Sequence, residues 1–451
     1  MTAVPASKES FLAGYDRGRE RESVDAPWLR RMREEAFGRF MEKGFPTTRE
    51  EDWKYTDVAA IGRSLFTPAA AIHPEIREEA IGRLAPGSLD RHLLVFVNGS
   101  YSPGLSKLHP LPAGVRIGGL SAALRDDPGR IEPYFARFAG RRGNGFIDLN
   151  TALMEDGAFI HLPRGTAIPD PIHLLFVTSA GDQAVMTHPR ILVAAEEGAR
   201  ATVVEQYVNL GAGTYLTNAM TEIAAGRNAA ITHYKIQEEG PDAYHIAAVR
   251  AYQEAGSRFT SHSASFGGVL SRNDVDVALD GEGAECVLDG LYLGDGRRHV
   301  DTHMSIDHLK PRGASRVFYG GILNGRARGV FGGKVVVHKD AQKTDARQTN
   351  KNLLLSREAE ADSRPQMEIY ADDVKCSHGA TVGQLEEEKI FYLRSRGLDD
   401  AFARNLLTYA FASEALDRFE ILPIRRGLKT KLMAWLPEGQ RIKEFHDETG
   451  K

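Results

Sequence analysis

Five short turns centred on glycine recur down the middle of this chain at nearly constant spacing, and they restrict its fold more than any other feature. They are Glu197-Gly198-Ala199, Ala225-Gly226-Arg227, Ala255-Gly256-Ser257, Glu282-Gly283-Ala284 and Arg312-Gly313-Ala314, with 28, 30, 27 and 30 residues between successive glycines. Ten residues after each glycine stands an apolar side chain: Val208, Ile236, Phe266, Leu293 and Leu323. A second glycine series, Gly213, Gly240, Gly268, Gly294 and Gly325, falls between the first. Short β-branched and aromatic runs fill the intervals, and no helical period persists from about residue 158 to about 398.

A repeat of this length with two turns describes a coil whose strands lie on opposite walls. One coil cannot bury its own apolar face, whereas a stack aligns equivalent positions into an internal ladder. Glycine suits a tight turn that needs φ > 0. The fold expected is therefore mainly β, a parallel β-helix flanked by helical segments. A β-sandwich of evenly spaced hairpins is the alternative, and the apolar column over five repeats favours the stack. The expected divisions are an N-terminal helical or mixed domain over 1–150, the β-helix over 151–390 and a C-terminal helical domain over 391–451.

Helical signals sit at both ends. Residues 8–45 place Trp28, Met32, Phe37, Phe40 and Met41 near one face, and Gly44 with Pro46 supplies a stop. Shorter helices are expected over 75–83, ending near Pro86-Gly87, and over 130–139, with a buried strand over His92–Asn98. Toward the C-terminus, Leu398, Phe402, Leu406, Ala410, Leu416 and Phe419 form a stripe over 397–419. Asp399 and Asp400 lie in its first turn, where carboxylates favour the positive end of a helix. A further helix is expected over 427–436.

Composition narrows the function. The net charge of −4 argues against a general binder of nucleic acid or anionic membrane. No apolar run approaches the roughly 20 residues of a bilayer span. The opening MTAVPASKES lacks a basic and apolar leader, and two cysteines, Cys286 and Cys376, make no disulfide framework; a reducing cytoplasm fits both. There is no G-x-x-x-x-G-K-[ST] loop, so no Walker-type ATP site is expected, and no G-x-S-x-G or H-E-x-x-H. Gly320-Gly321 and Gly332-Gly333 read as β-rich turns, not phosphate cradles.

Chemistry concentrates in Asp372-Asp373-Val374-Lys375-Cys376-Ser377-His378-Gly379. On a strand, residues i and i+2 share a side, so Cys376 and His378 present a thiol and an imidazole together. These are soft-metal ligands, but two do not close a site. A shared site completed by another chain is one reading; an inert cysteine beside a satisfied histidine is the other. His299, Asp301 and His303 alternate on one strand, with Asp307 and His308 behind; a His/carboxylate metal set is one reading, and a solvent-facing wall of the stack is the commoner one. His233, His245 and His262 are expected to be structural, and Cys286 to be a small core filler.

Two longer stretches carry a resemblance. Asn350–Ser356 with Arg364–Gly383 (RPQMEIYADDVKCSHGATVG), and Phe391–Leu398 (FYLRSRGL), strongly resemble the SufB/SufD family of iron–sulfur cluster assembly proteins, over roughly 150–440. Glu51-Asp52-Trp53-Lys54-Tyr55-Thr56-Asp57 looks like the SufD branch, and the N-terminal cysteine motif of SufB-like chains is absent. The resemblance implies a right-handed parallel β-helix between helical domains. It implies a scaffold with no catalysis of its own, in a complex with SufB and two copies of the SufC ATPase. The C-terminal helices would bind SufC, and a transient Fe–S cluster, or iron, would be shared with SufB at the β-helix ends. His378 and then Cys376 would be its ligands in this chain. Whether like chains pair where SufB is absent is left open by the sequence. A β-helical polysaccharide-acting enzyme and a purely structural adaptor are the rival readings.

Overall fold

A computed structural model describes residues 11, 15–16, 25–69, 76–84, 89–135 and 143–449. Its centre is a parallel β-solenoid of about eight coils. One wall runs from Gly157–Leu162 through Arg190–Ala195, Tyr215–Ala225, Ala243–Gln253, Leu270–Leu279, His299–His308 and Arg328–Val337 to Glu360–Ile369. The other runs from His92–Val97 and Ile172–Thr178 through Arg200–Asn209, Ala230–Glu238, Arg258–Ser265, Glu285–Gly294, Ala314–Leu323 and Asp345–Leu354 to Lys375–Gly383. Every strand of a coil pairs in parallel with its counterpart in the next. The strand His92–Val97 comes from the segment assigned to 1–150, yet it pairs with Ile172–Thr178 and is built into the second wall.

One corner of the stack uses a left-handed residue in seven successive coils: Gly165, Gly198, Asn228, Gly256, Gly283, Arg312 and Lys343, all with φ between 56° and 70°. The reason is a hydrogen-bond ladder. Gly165, Gly198, Asn228, Gly256, Gly283 and Arg312 each donate the backbone N–H to the residue just before the equivalent position in the next coil, at 2.8–3.0 Å. Asn tolerates this backbone, whereas Arg and Lys adopt it at a cost of about 1–2 kcal/mol each. Two turns therefore differ from the sequence expectation. Gly226 and Gly313 are not the left-handed residues. A Cβ on Gly226 would lie 3.0 Å from the Ala195 carbonyl, and one on Gly313 would lie 2.8 Å from the His308 ring.

That slip carries into the apolar column. The registered neighbours are Val208, Glu238, Phe266, Leu293 and Ile322, so Ile236 and Leu323 belong to other files. Nor is the column internal. Ile236, Phe266 and Leu293 face outward beneath the C-terminal helices, and Val208 packs outward near Ile81 and Val95. The ladder inside the stack consists instead of residues such as Val203, Ile231, Phe259, Leu288, Val317 and Ala346, facing Ile223, Ala251, Val277, Ile306 and Val335. Gly320-Gly321 and Gly332-Gly333 lie within strands, not turns. Gly321 leaves room for Tyr292 and Asn352, and Gly333 for Gln348.

Both outer faces are apolar because helices cover them. The helices Pro27–Lys43 and Gly145–Leu153 place Phe37, Phe40, Phe146 and Leu149 against Met186, Leu216, Ile246 and Leu270 of the first wall. Gly44, with φ 73°, ends the first as expected; most of 8–24 and Pro86-Gly87 lie outside the described residues. At the seam a fully buried Arg190 donates to Glu222 at 2.7 and 3.0 Å and to Asn150 at 3.0 Å. The second wall is covered by Asp400–Leu416, Leu422–Trp435 and Gly439–Thr449, and Glu387–Ser395 packs beside the first of these. Phe402, Tyr409, Ala412, Leu416, Phe419, Leu428 and Leu432 cover Val204, Tyr234, Ala264, Leu291 and Phe318.

The helix Glu387–Ser395 corrects the expectation that no helix precedes 398, and Gly439–Thr449 adds one that was not foreseen. Ala410 is exposed, the buried stripe passing through Tyr409 and Ala412 instead. The stretch expected to be helical over 130–139 is helical at Pro128–Ile131, and 136–139 lie outside the described residues. No helix among the described residues is long and apolar enough to cross a membrane.

Candidate functional site

The two ends of the solenoid differ. At the N-terminal end each wall finishes in a short antiparallel strand, Arg116–Gly119 on one and Ser100–Tyr101 on the other. At the C-terminal end the last strands, Glu360–Ile369 and Lys375–Gly383, each have one paired neighbour. Their residues are half-buried or exposed almost throughout, whereas the preceding coils are mostly buried. Ile369, Tyr370 and Val382 on this coil and Phe391 and Tyr392 on the adjoining helix stand exposed.

Cys376 and His378 sit on that last strand. Cys376 registers over Ala346 and packs against the interior cluster; His378 registers over Gln348. Both therefore belong to files that point inward, and the shared side expected from their i, i+2 spacing is what the strand provides. Because no coil follows, the inward side at this level is open: Cys376 is half-buried and His378 exposed. Burial, and then the nearby Asp345 carboxylate, push the Cys376 thiol above its ordinary range, partly offset by a backbone hydrogen bond at Ala346. The thiol of the isolated chain is thus protonated at neutral pH, and a cation or partner that draws off its proton would make it a ligand.

Beneath them the interior turns polar. Ser363 donates to Asn350 at 2.7 Å, Asn352 donates to Asn350 at 2.7 Å, and Tyr292 donates to Asn352 at 2.5 Å. Deeper in the stack, Glu205 accepts from Tyr207, Thr221 and His233 at 2.9, 2.7 and 3.0 Å. Lys235 lies 4.2 Å from the Tyr207 ring centre and donates to His245 at 2.6 Å, and His245 lies 2.6 Å from Glu239. Burial works to raise the Glu205 pKa, but His233 and Lys235 outweigh it and hold it at about 2. Burial draws Lys235 down to about 8 against the pull of Glu205 and Glu239. His233 and His245 are thus structural, as expected, though within a charged cluster that was not foreseen. Its signal lay in the sequence: Glu205 follows Ala201 and Val203 at strand spacing, on the inward side.

The trio His299, Asp301 and His303 does face outward from the wall, but it is not solvent-facing. The segment around Glu51–Thr56 covers it. Asp301 has a fully buried side chain, accepts from Arg272 and Thr56 at 2.5 Å, and lies 3.2 Å from His303. Trp53 stacks over Arg272 at 3.7 Å. Arg272, His303 and Thr56 hold the Asp301 carboxyl well below the carboxylate range in spite of burial. The trio pins the N-terminal segment to the wall. His308 points inward from the same strand and bonds Ser315 at 2.9 Å. Cys286 is buried in the interior, as a core filler should be, and burial raises its thiol pKa strongly.

The fold is thus a parallel β-solenoid with helices on both flanks and a thiol–imidazole pair on its last coil, and comparison with known proteins places it. Residues 176–411 match the family model described as "SUF system FeS cluster assembly, SufBD core domain", and residues 6–174 match "SufBD protein N-terminal region". The chain belongs to the SufB/SufD family of iron–sulfur cluster assembly proteins. Within that family it is a homologue of SufD: it is 34% identical to the iron–sulfur cluster assembly protein SufD of Escherichia coli, over 88% of this chain and 90% of that protein. It is also 35% identical to an iron–sulfur cluster assembly SufBD family protein of Synechocystis, over 85% and 86% of the two chains. An Arabidopsis thaliana chloroplastic protein, ABCI7, is 30% identical over 88% and 84%.

Proposed function

We propose that this chain is the non-catalytic scaffold subunit of a SUF assembly complex, pairing with SufB through its open C-terminal coil and coupling to SufC through its C-terminal helices. The observation that carries the reading is the last coil. Its strands retain unpaired edges, its rim presents Ile369, Tyr370 and Val382, and its inward side presents Cys376 and His378. An unpaired β-edge with apolar flanks is a template for another chain, and capping it would bury these side chains.

Cys376 and His378 would supply part of the ligand set for a nascent cluster, the substrate of the assembly, with the remaining ligands coming from SufB. A thiolate and a neutral imidazole both suit iron, and two of them leave positions open for sulfide and for the partner. The helices Asp400–Leu416 and Leu422–Trp435 and the turn between them rest on the second wall through Lys351–Glu414 at 2.7 Å and, from the turn, Arg418–Asp289 at 3.3 Å, besides the helices' apolar faces. A nucleotide-driven movement of SufC against them would be transmitted to that wall, and so to the strand carrying Cys376. ATP hydrolysis would supply the differential binding energy between the two arrangements that such a switch requires. Like chains would pair through the same edge where SufB is absent.

The test is cluster reconstitution on the complex with His378→Ala, Cys376→Ala and the double variant. Cluster yield should fall, most with the double variant. Unchanged yield with His378→Ala removes that residue from the mechanism. Unchanged iron and sulfide loading in the double variant, with the complex intact, leaves a structural adaptor.

A further inference from the structure

At the opposite end of the stack, three segments far apart in sequence meet at the start of the strand His92–Val97. Pro171 holds this strand to the wall by accepting from the His92 backbone at 3.0 Å, and Lys107 and Leu93 exchange backbone hydrogen bonds at 2.7 and 2.8 Å. These contacts bring His92, His109 and Asp170 together. One ring nitrogen of each histidine and one carboxylate oxygen of Asp170 all lie within 4.8 Å of one another. His109 Nδ1 is 3.0 Å from Asp170, its Nε2 is 3.5 Å from Asp90, and the two imidazole rings are 5.2 Å apart.

We propose that His92, His109 and Asp170 form a binding site for one first-row divalent cation of the zinc or iron(II) class. Two imidazoles and one carboxylate with open positions form the donor set used for mononuclear iron(II), and zinc accepts the same ligands. Metal–ligand bonds of about 2.0–2.2 Å put neighbouring donors roughly 3–3.5 Å apart, so small rotations of the partly exposed His109 and Asp170 close the site. Order is supplied by His92, which is 3% exposed, and whose Nδ1 receives only a long, 3.3 Å hydrogen bond from the His109 backbone. Access is supplied by His109 and Asp170, one-quarter and about one-third exposed, while the highly exposed Asp90 stands at the other ring nitrogen of His109 and steadies that ring. The site lies eight strand steps from Cys376 and His378, or about 38 Å at 4.8 Å per step, so the two places cannot share one ion. It stands on its own geometry and does not depend on the scaffold role proposed above.

The test is calorimetric titration of the full chain with zinc as a redox-inert probe, repeated with iron(II) under anaerobic conditions. The expected result is one ion per chain at micromolar affinity. Asp170→Asn, nearly isosteric, and His109→Ala should each weaken it tenfold or more, while thermal unfolding without metal stays as in the parent chain. The Cys376→Ala/His378→Ala double variant should bind the ion unchanged. Absence of micromolar binding, binding that Asp170→Asn and His109→Ala leave intact, or binding that the double variant abolishes would each overturn the assignment.

Discussion

Cys286 and Cys376 stand in the same interior file of the solenoid, three coils apart. Cys286 registers with Ser315, Ser315 with Ala346, and Ala346 with Cys376. At about 4.8 Å per step their backbones are roughly 14 Å apart, beyond disulfide reach. What separates them chemically is only how many coils lie above: Cys286 is sealed, and Cys376 is at the mouth.

Alkylation should read this difference directly. Maleimide treatment of the native chain should label Cys376 alone, and denaturation should release Cys286. Because burial raises the Cys376 pKa, its labelling rate should keep climbing with pH beyond the range of a free thiol. Peptide mass spectrometry gives the site; native labelling of Cys286 would contradict the sealed interior.

Glu222→Ala should be among the most destabilising single changes in the chain. It strands the Arg190 guanidinium, which is fully buried between the first wall and the helix Gly145–Leu153. Removing one partner of such a pair costs about 3–5 kcal/mol. Urea unfolding should show a lower midpoint, and replacement of both residues by apolar ones should recover most of the loss.

Lys343→Gly should stabilise the fold by roughly 0.5–1 kcal/mol, because a left-handed backbone costs a side-chain-bearing residue about 1–2 kcal/mol and glycine returns part of that as lost chain entropy. The exposed Lys343–Asp373 ion pair that is sacrificed contributes little. The same replacement at Asn228 should gain less, since Asn already tolerates this conformation. Melting temperatures of the two variants make the comparison.

Stability should fall steadily as pH drops below about 6.5. Burial lowers His173 and His188 to about 3, and His262 and His308 to about 4. In this window the unfolded chain takes up protons that the folded chain refuses, so acid favours unfolding, by roughly 1 kcal/mol per histidine per pH unit. Glu205, held at about 2, extends the loss below its ordinary value of 4.5, since its stabilising charge vanishes as pH falls through that range. Urea midpoints measured between about pH 7 and about pH 4 give the curve. A flat profile down to pH 4 would show that these histidines are hydrated.

The stack was legible because its corners repeat, and the register was less so because a counted glycine is not always the turning residue. Asn228 and Arg312 take the left-handed corner next to Gly226 and Gly313, which are glycines for lack of space. The helix Glu387–Ser395 escaped notice for a related reason. It buries only Ile390 and exposes Phe391 and Tyr392, so it has no apolar stripe. Cys376 and His378 were readable as a pair because strand geometry is local. His92, His109 and Asp170 were not, because their meeting depends on which strand pairs with which.

The terminal coil has one consequence for how the molecule comes apart. In a solenoid each layer is held by the layers beside it, so a layer with a single neighbour is the first to fray. Amide exchange should therefore run fastest at 360–383 and slow progressively toward the middle of the stack. A ligand pair mounted on the layer that frays first is disordered cheaply and ordered by whatever docks there, so docking and the rigidity of residues 376 and 378 become a single event.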